Sequence, residues 1–141
     1  MSTKILLTRR AIWYIERISK MNVNNLLSSF LNFEATRADL VQEFGEDLLN
    51  AVGPVKTVSV NDVVSAIDRY LNHTITKIQL VDWVNTLWFT DLFEYDDVYA
   101  DSIASIMAVL ETLDEEEVVL SEQDFSEMKI CLLRNHEYQG R

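Results

Sequence analysis

The sequence predicts an all-α fold: a compact bundle of six or seven helices with room for one minor short strand. Three observations predict it. Apolar residues recur at three- and four-residue intervals over most of the 141-residue chain. Capping residues stand in front of several of these runs. Three glycines and one proline are too few for the turns of an all-β architecture. The length suits a single helical domain, 1–141, able to bury a core without disulfides or metals. Sub-lobes at 1–53 and 58–141 are expected to share that core, since pieces of about 55 and 85 residues would each be marginal alone.

Taken in order, Thr8 (or a point near Thr3) starts a first helix with Leu7, Ala11, Tyr14, Ile15 and Ile18 on one stripe; a short strand at Lys4–Leu7 competes. Asn22 or Asn24 caps a second, with Val23, Leu26, Leu27, Phe30 and Leu31 as its apolar side. Thr36 caps a third. There Asp39 suits the helix dipole, and Val41, Phe44, Leu48 and Val52 repeat toward Gly53-Pro54, which ends it. Gly53–Ser59 is the one candidate linker, of a length usual inside a single domain, and Val55–Val60 is β-prone. The chain reads as free of internal repeats.

Val60, Val63, Val64, Ile67, Tyr70 and Leu71 share one helical face. Asn72-His73-Thr74 breaks that pattern, and Thr76 with Gln79 forms a capping box at a new helix start, stapled by Ile75 and Leu80. So short a turn predicts a roughly antiparallel hairpin that buries Leu80, Val84, Leu87 and one of Trp83 and Trp88, leaving the other indole near the rim. Thr90–Tyr95 reads as an irregular connection whose Leu92, Phe93 and Tyr95 fold back on the core. From Asp97 a helix is expected to put Tyr99, Ile103, Ile106, Met107, Leu110 and Leu113 on one side and Asp97, Asp101, Glu111 and Glu115 opposite. Only Ala104, Ser105 and Ala108 separate those acids, which predicts a smooth anionic face. Val118–Leu120 is extended or loop, Ser121 with Glu122 and Asp124 opens a last helix bearing Phe125, Met128, Cys131 and Leu132, and Asn135–Arg141 is expected to fray.

Charge is uneven. Of 12 basic and 23 acidic residues, six of each lie in 1–55 and cancel, so the formal net charge of −11 belongs to the remainder, and Ile78–Met128 holds no Lys or Arg. Such a balance argues against direct nucleic-acid binding, which draws much of its affinity from cationic side chains on phosphates. The basic set Arg9, Arg10, Arg17 and Lys20 alternates with apolar residues and reads as the solvated face of a helix. Ile5-Leu6-Leu7 is too short for a signal-peptide core, no run approaches a membrane span, and the lone Cys131 permits no internal disulfide; the expectation is a cytoplasmic protein.

No catalytic or cofactor motif is present, so the sequence predicts no enzyme and no cofactor. Asp91, Glu94, Asp96, Asp97 and Asp101 invite a metal reading, but a calcium loop needs a glycine this run lacks, and neither His73 nor His136 has the Glu-x-x-His spacing of a di-iron site. Paired carboxylates need a pocket to act as acid and base, and spacing alone shows none. Cys131 with His136 at hand is more simply a small apolar residue of the last helix. Two readings of the acids remain, a solvated face and a partner-binding face. The second takes Asp91, Glu94, Asp96, Asp97, Asp101, Glu111 and Glu115, with Trp88, Phe93 and Tyr95 as aromatic anchors of the kind that dominate binding hot spots.

Over residues 60–89, Ile67-Asp68-Arg69-Tyr70-Leu71, a polar turn, Thr76 and Leu80-Val81-Asp82-Trp83 resemble small helical bacterial immunity proteins of the colicin D and contact-dependent-inhibition type. The resemblance implies a cytoplasmic protein that plugs a cationic toxin's active site with acidic side chains. The function expected is therefore an acidic inhibitor of a basic partner protein, a nuclease by that chemistry. A phage-encoded inhibitor of a CRISPR or restriction nuclease acting as a nucleic-acid mimic is the alternative. A helical adaptor with an apolar interface is the alternative of another class.

Overall fold

The computed structural model describes residues 8–10, 23–46 and 55–140. Arg9 and Arg10 are helical and exposed, directly after Thr8, while the stripe Leu7 to Ile18, the candidate strand Lys4–Leu7 and the terminator Gly53-Pro54 lie outside the described residues. The order thereafter is helical residues 23–31 (α1), Arg37–Phe44 (α2), Lys56–Val58 (β1), Val60–Leu71 (α3), Lys77–Phe89 (α4), Phe93–Tyr95 (β2), a 3₁₀ turn at Asp97–Tyr99, Ala100–Leu110 (α5) and Glu122–Leu133 (α6). Among the described residues the fold is mostly helical with one minor two-stranded sheet. Among the described residues no helix is long and apolar enough to cross a membrane.

The starts of the helices are chemically explicit. Thr36 with Asp39, Ser59 with Asp62, Thr76 with Gln79 and Ser121 with Asp124 each form a complete capping box, satisfying backbone donors at four helix starts. Asp39 is thus a hydrogen-bond acceptor at Thr36 N (2.8 Å), more than a dipole-matched charge. Val23 and Asn24 are both already helical, so Asn24 is not the cap of α1.

Three helix ends share one geometry. After α1, Phe33 N–H donates to Phe30 O and Glu34 N–H to Ser29 O; after α3, His73 donates to Tyr70 and Thr74 to Arg69; after α6, Asn135 donates to Leu132 and His136 to Cys131. These are Schellman closures, and the residue at the left-handed position is Phe33 (φ 61°), His73 (φ 60°) or Asn135 (φ 55°). None is a glycine, so packing or hydrogen bonding must hold each against a steric cost of about 1–2 kcal/mol.

The first two closures open onto the same next step, a threonine-capped helix, and they lie 40 positions apart (33 and 73). At that offset Val23, Leu31, Asn32, Thr36, Leu40 and Val41 recur as Val63, Leu71, Asn72, Thr76, Leu80 and Val81. The chain therefore holds an internal repeat: α1–α2 and α3–α4 are two versions of one helix–turn–helix unit. The expectation of no repeat is corrected; the identities are too sparse to notice without the shared turn geometry.

The units converge on one core. Leu27 and Leu40 from the first, Ile67, Leu80 and Val84 from the second, and Leu92, Ile103, Ile106, Met107, Leu110, Met128 and Leu132 beyond them are all fully buried in a single cluster. Phe30 meets Phe93 at 5.6 Å between ring centroids, Phe33 stacks on Trp83 at 5.2 Å, and Tyr70 meets Phe125 at 5.4 Å. β1 and β2 close the arrangement as a parallel pair, Thr57 opposite Glu94, with α3–α4 as the crossover.

Three further expectations change. α2 ends at Phe44 with Gly45 at φ 95°, well before Gly53-Pro54, and its one fully buried residue is Leu40; Val41 and Phe44 are half-buried. Thr90–Tyr95 contains a strand, and the extended piece within Val55–Val60 is its partner. The C-terminal segment does not fray before 138: Asn135 Nδ2 donates to Val98 O (2.9 Å), Tyr138 N–H donates to Ser105 Oγ (2.8 Å), and Tyr138 packs on the core.

Candidate functional site

α4 buries Leu80, Val81, Trp83, Val84, Thr86 and Leu87. That arc leaves Trp88 and Phe89, its last two residues, outside: Trp88 is 39% and Phe89 52% exposed, their rings 6.4 Å apart. Trp83 is the indole that seals the core and Trp88 the one at the rim. Thr90 Oγ1 donates to Thr86 O (2.7 Å), ending the helix, and the chain turns through exposed Asp91 into β2. Strand alternation then points Phe93 inward, Glu94 to solvent and Tyr95 partly inward.

Leu87, Trp88, Thr90, Phe93, Glu94 and Tyr95 consequently line a shallow cleft of about 280 Å³. Burial pushes the Tyr95 hydroxyl up to about 12, and the nearby charge of Glu111 adds to it. Glu94 has no ion pair among the described residues, where the only two join Arg37 to Asp82 and Lys129 to Asp68.

Of the ten residues the sequence nominates, Trp88, Phe93, Glu94 and Tyr95 meet at this cleft, and Asp91 sits in the turn between Trp88 and Glu94. Phe93 is only 7% exposed and packs on Phe30, so it is a wall of the cleft and no free anchor. The other five do not form the expected face. Asp96 accepts from Val98 N (3.0 Å) as the cap of the 3₁₀ turn that holds Asp97. Asp101 lies exposed in the first turn of α5, but that helix stops at Leu110. Glu111 is its half-buried C-cap, and Glu115 belongs to the turns beyond. The C-terminal segment also reaches α5 through Ser102 and Ser105, so the helix side expected to be smooth and anionic is partly covered.

Sequence reasoning missed Phe89, Leu87 and Thr90 as site residues. The signal for Phe89 was present, since with Leu80, Val84 and Leu87 inward, position 89 falls about 200° from Leu87. Elsewhere, Cys131 is half-buried and its carbonyl accepts the His136 backbone N–H (2.8 Å), a helix-ending contact. Among the described residues no group of three or more His, Cys, Asp or Glu is placed to hold a metal ion. Compared with known protein families, with curated proteins and with solved structures, the chain matches none.

Proposed function

We propose that this chain is an acidic inhibitor that binds a basic partner protein and occludes its nucleic-acid-binding or active site. The observation that carries the reading is the exposed pair Trp88 and Phe89 beside the carboxylates of Asp91 and Glu94, which have no ion pair among the described residues, within a stretch, Ile78–Met128, that has no Lys or Arg. Desolvated aromatics supply affinity at interfaces, and a one-signed field raises association rates and selects basic partners. Exposed Asp97, Asp101 and Asp114–Glu117 extend that field beyond the cleft. The resemblance of α3–α4 to colicin D and contact-dependent-inhibition immunity proteins makes a nuclease toxin the leading partner; a phage inhibitor of a CRISPR or restriction nuclease shares the chemistry. A cytoplasmic location goes with either.

The test is association kinetics with the partner captured from the source cell, from about 50 to 300 mM salt, where the screening length shortens through about 10 Å. Asp97→Lys with Asp101→Lys should slow association at low salt and flatten the salt dependence while the helical circular dichroism stays unchanged. Equal on-rates and equal salt slopes would end the inhibitor reading. The exposure of Phe89 and Trp88 favours a second reading, an adaptor with an apolar interface. It predicts that Phe89→Ala abolishes binding and that charge reversal does nothing.

A further inference from the structure

The cleft beside α4 is too small for a folded segment and has the wrong chemistry for an apolar one. Its 280 Å³ lies just under the range of about 300–1,000 Å³ that holds drug-sized ligands, so it admits one long side chain. Leu87 and the ring walls Trp88 and Phe93 offer apolar and π surface, Glu94 stands exposed at its edge, and Tyr95 offers a hydroxyl. Lys56, on the strand paired with β2, is opposite Phe93 in register but does not line the cleft, so no cation among the described residues fills the place.

A planar cation matches the chemistry of each of these walls. A guanidinium stacks on an indole face, stays charged at any working pH, and presents a fork of N–H donors that a carboxylate accepts in pairs. An ammonium offers a compact, strongly hydrated point charge and no stacking plane. The protonated Tyr95 hydroxyl keeps acceptor lone pairs and adds no negative charge of its own, so Glu94 is the carboxylate of the lining, with the charge of Glu111 acting on Tyr95 from outside it.

We infer that the cleft formed by Trp88, Glu94 and Tyr95 is a reading pocket for a single arginine side chain presented by the partner protein. The inference rests on the inhibitor reading and deepens it, because it names the residue at the centre of the interface. The acids at Asp97 and Asp101 would then serve approach, and the cleft would serve recognition.

The probe is a blocked Gly-Arg-Gly peptide titrated into the full ¹⁵N-labelled chain, followed by two-dimensional NMR, with the lysine and citrulline peptides as comparators. Citrulline keeps the planar shape and loses the charge. The expected result is saturable, millimolar shifts at the Trp88 indole N–H and the Glu94 and Tyr95 amides for arginine, several-fold weaker binding for lysine, and no saturation for citrulline. Glu94→Gln and Trp88→Ala, both at exposed positions, should each weaken arginine binding about tenfold, or 1.4 kcal/mol, with amide spectra otherwise preserved. Equal shifts for citrulline, lysine matching arginine, or shifts as large at Asp97, Asp101 and Glu115 as at Glu94 would each overturn the pocket. Such a failure leaves the inhibitor reading intact if the Asp97 and Asp101 reversals still slow partner association. Conversely, saturable arginine binding with salt-independent partner association would sustain the pocket and remove the inhibitor reading.

Discussion

The two helix–turn–helix units use the same local code and put it to different uses. In both, a Schellman closure on a non-glycine residue leads into a threonine-capped helix, Phe33 to Thr36 and His73 to Thr76. They diverge in the second helix. α2 runs for eight residues and stops at Gly45, whose φ of 95° suits no other residue well. The equivalent position 40 residues on is Asn85, which is helical, and α4 continues to Phe89. That continuation carries Leu87 into the core and Trp88 and Phe89 to the surface. The shared part of the two units supplies one half of the core, while the candidate site starts from the part of the second unit that the first does not have.

The largest expected effect tests whether the units share the core equally. Leu40 and Leu80 are equivalent and both fully buried. Leu40→Ala and Leu80→Ala should each destabilise by about 2–5 kcal/mol in denaturant melts, the lost transfer energy plus the residual cavity. A cost for Leu40→Ala below about 1 kcal/mol would mean that the first unit merely leans on the second.

A smaller effect should differ in sign between the units. Phe33 lies between Trp83, stacked at 5.2 Å, and the Arg69 guanidinium, 5.6 Å above its ring, and Arg69 Nη1 also donates to Asn32 O. The first unit's turn is thereby pinned onto the second unit. His73 occupies the same backbone conformation but is exposed. His73→Gly should relieve the left-handed cost and stabilise by up to about 1 kcal/mol. Phe33→Gly relieves the same cost but loses the ring stack and its burial, and should destabilise by about 1–3 kcal/mol. The same sign for both, in thermal melts of the two variants, would show that the docking of Phe33 contributes little.

Legibility followed range. Thr36, Thr76 with Gln79, and Ser121 were readable as helix starts because a capping box is complete within four consecutive residues. The box at Ser59 and Asp62 went unread, hidden at the end of an apparent linker. The end of α2 at Gly45 was masked by Leu48 and Val52, which keep helical spacing past it. β2 left no local trace, since three residues paired in parallel with a strand 37 positions away carry their information in the partner, Lys56 with Phe93. The cleft was half legible: residue types named Trp88, Glu94 and Tyr95, but grouping them with Asp101, Glu111 and Glu115 on one helical face required a longer helix than α5 is. Its N-terminus is preceded by a 3₁₀ turn and its end lies at Leu110, so a constant 100° step cannot carry phase from Asp97 to Glu115.

The smallest effect probes the feature the first unit lacks. Tyr95 lines the cleft at the end of the α4–β2 connection, and its hydroxyl is raised from 10.0 to about 12, by burial first and by the charge of Glu111 second. A tyrosine raised on folding is neutral and protonated in the folded state at a pH where the unfolded chain has already ionised. Its contribution to stability is therefore complete below pH 10 and lost as the pH rises from 10 toward 12. Ultraviolet titration of the phenolates should show one group, absent in Tyr95→Phe, ionising near the top of that window, and Tyr95→Phe should soften the alkaline loss of stability. Glu111→Gln removes only the lesser cause, so it should bring the Tyr95 titration part of the way back toward 10. A full return would mean that charge, and not the enclosure of the cleft, holds the proton. The cleft would then be more open to water than the packing of Leu87, Phe93 and Tyr95 implies.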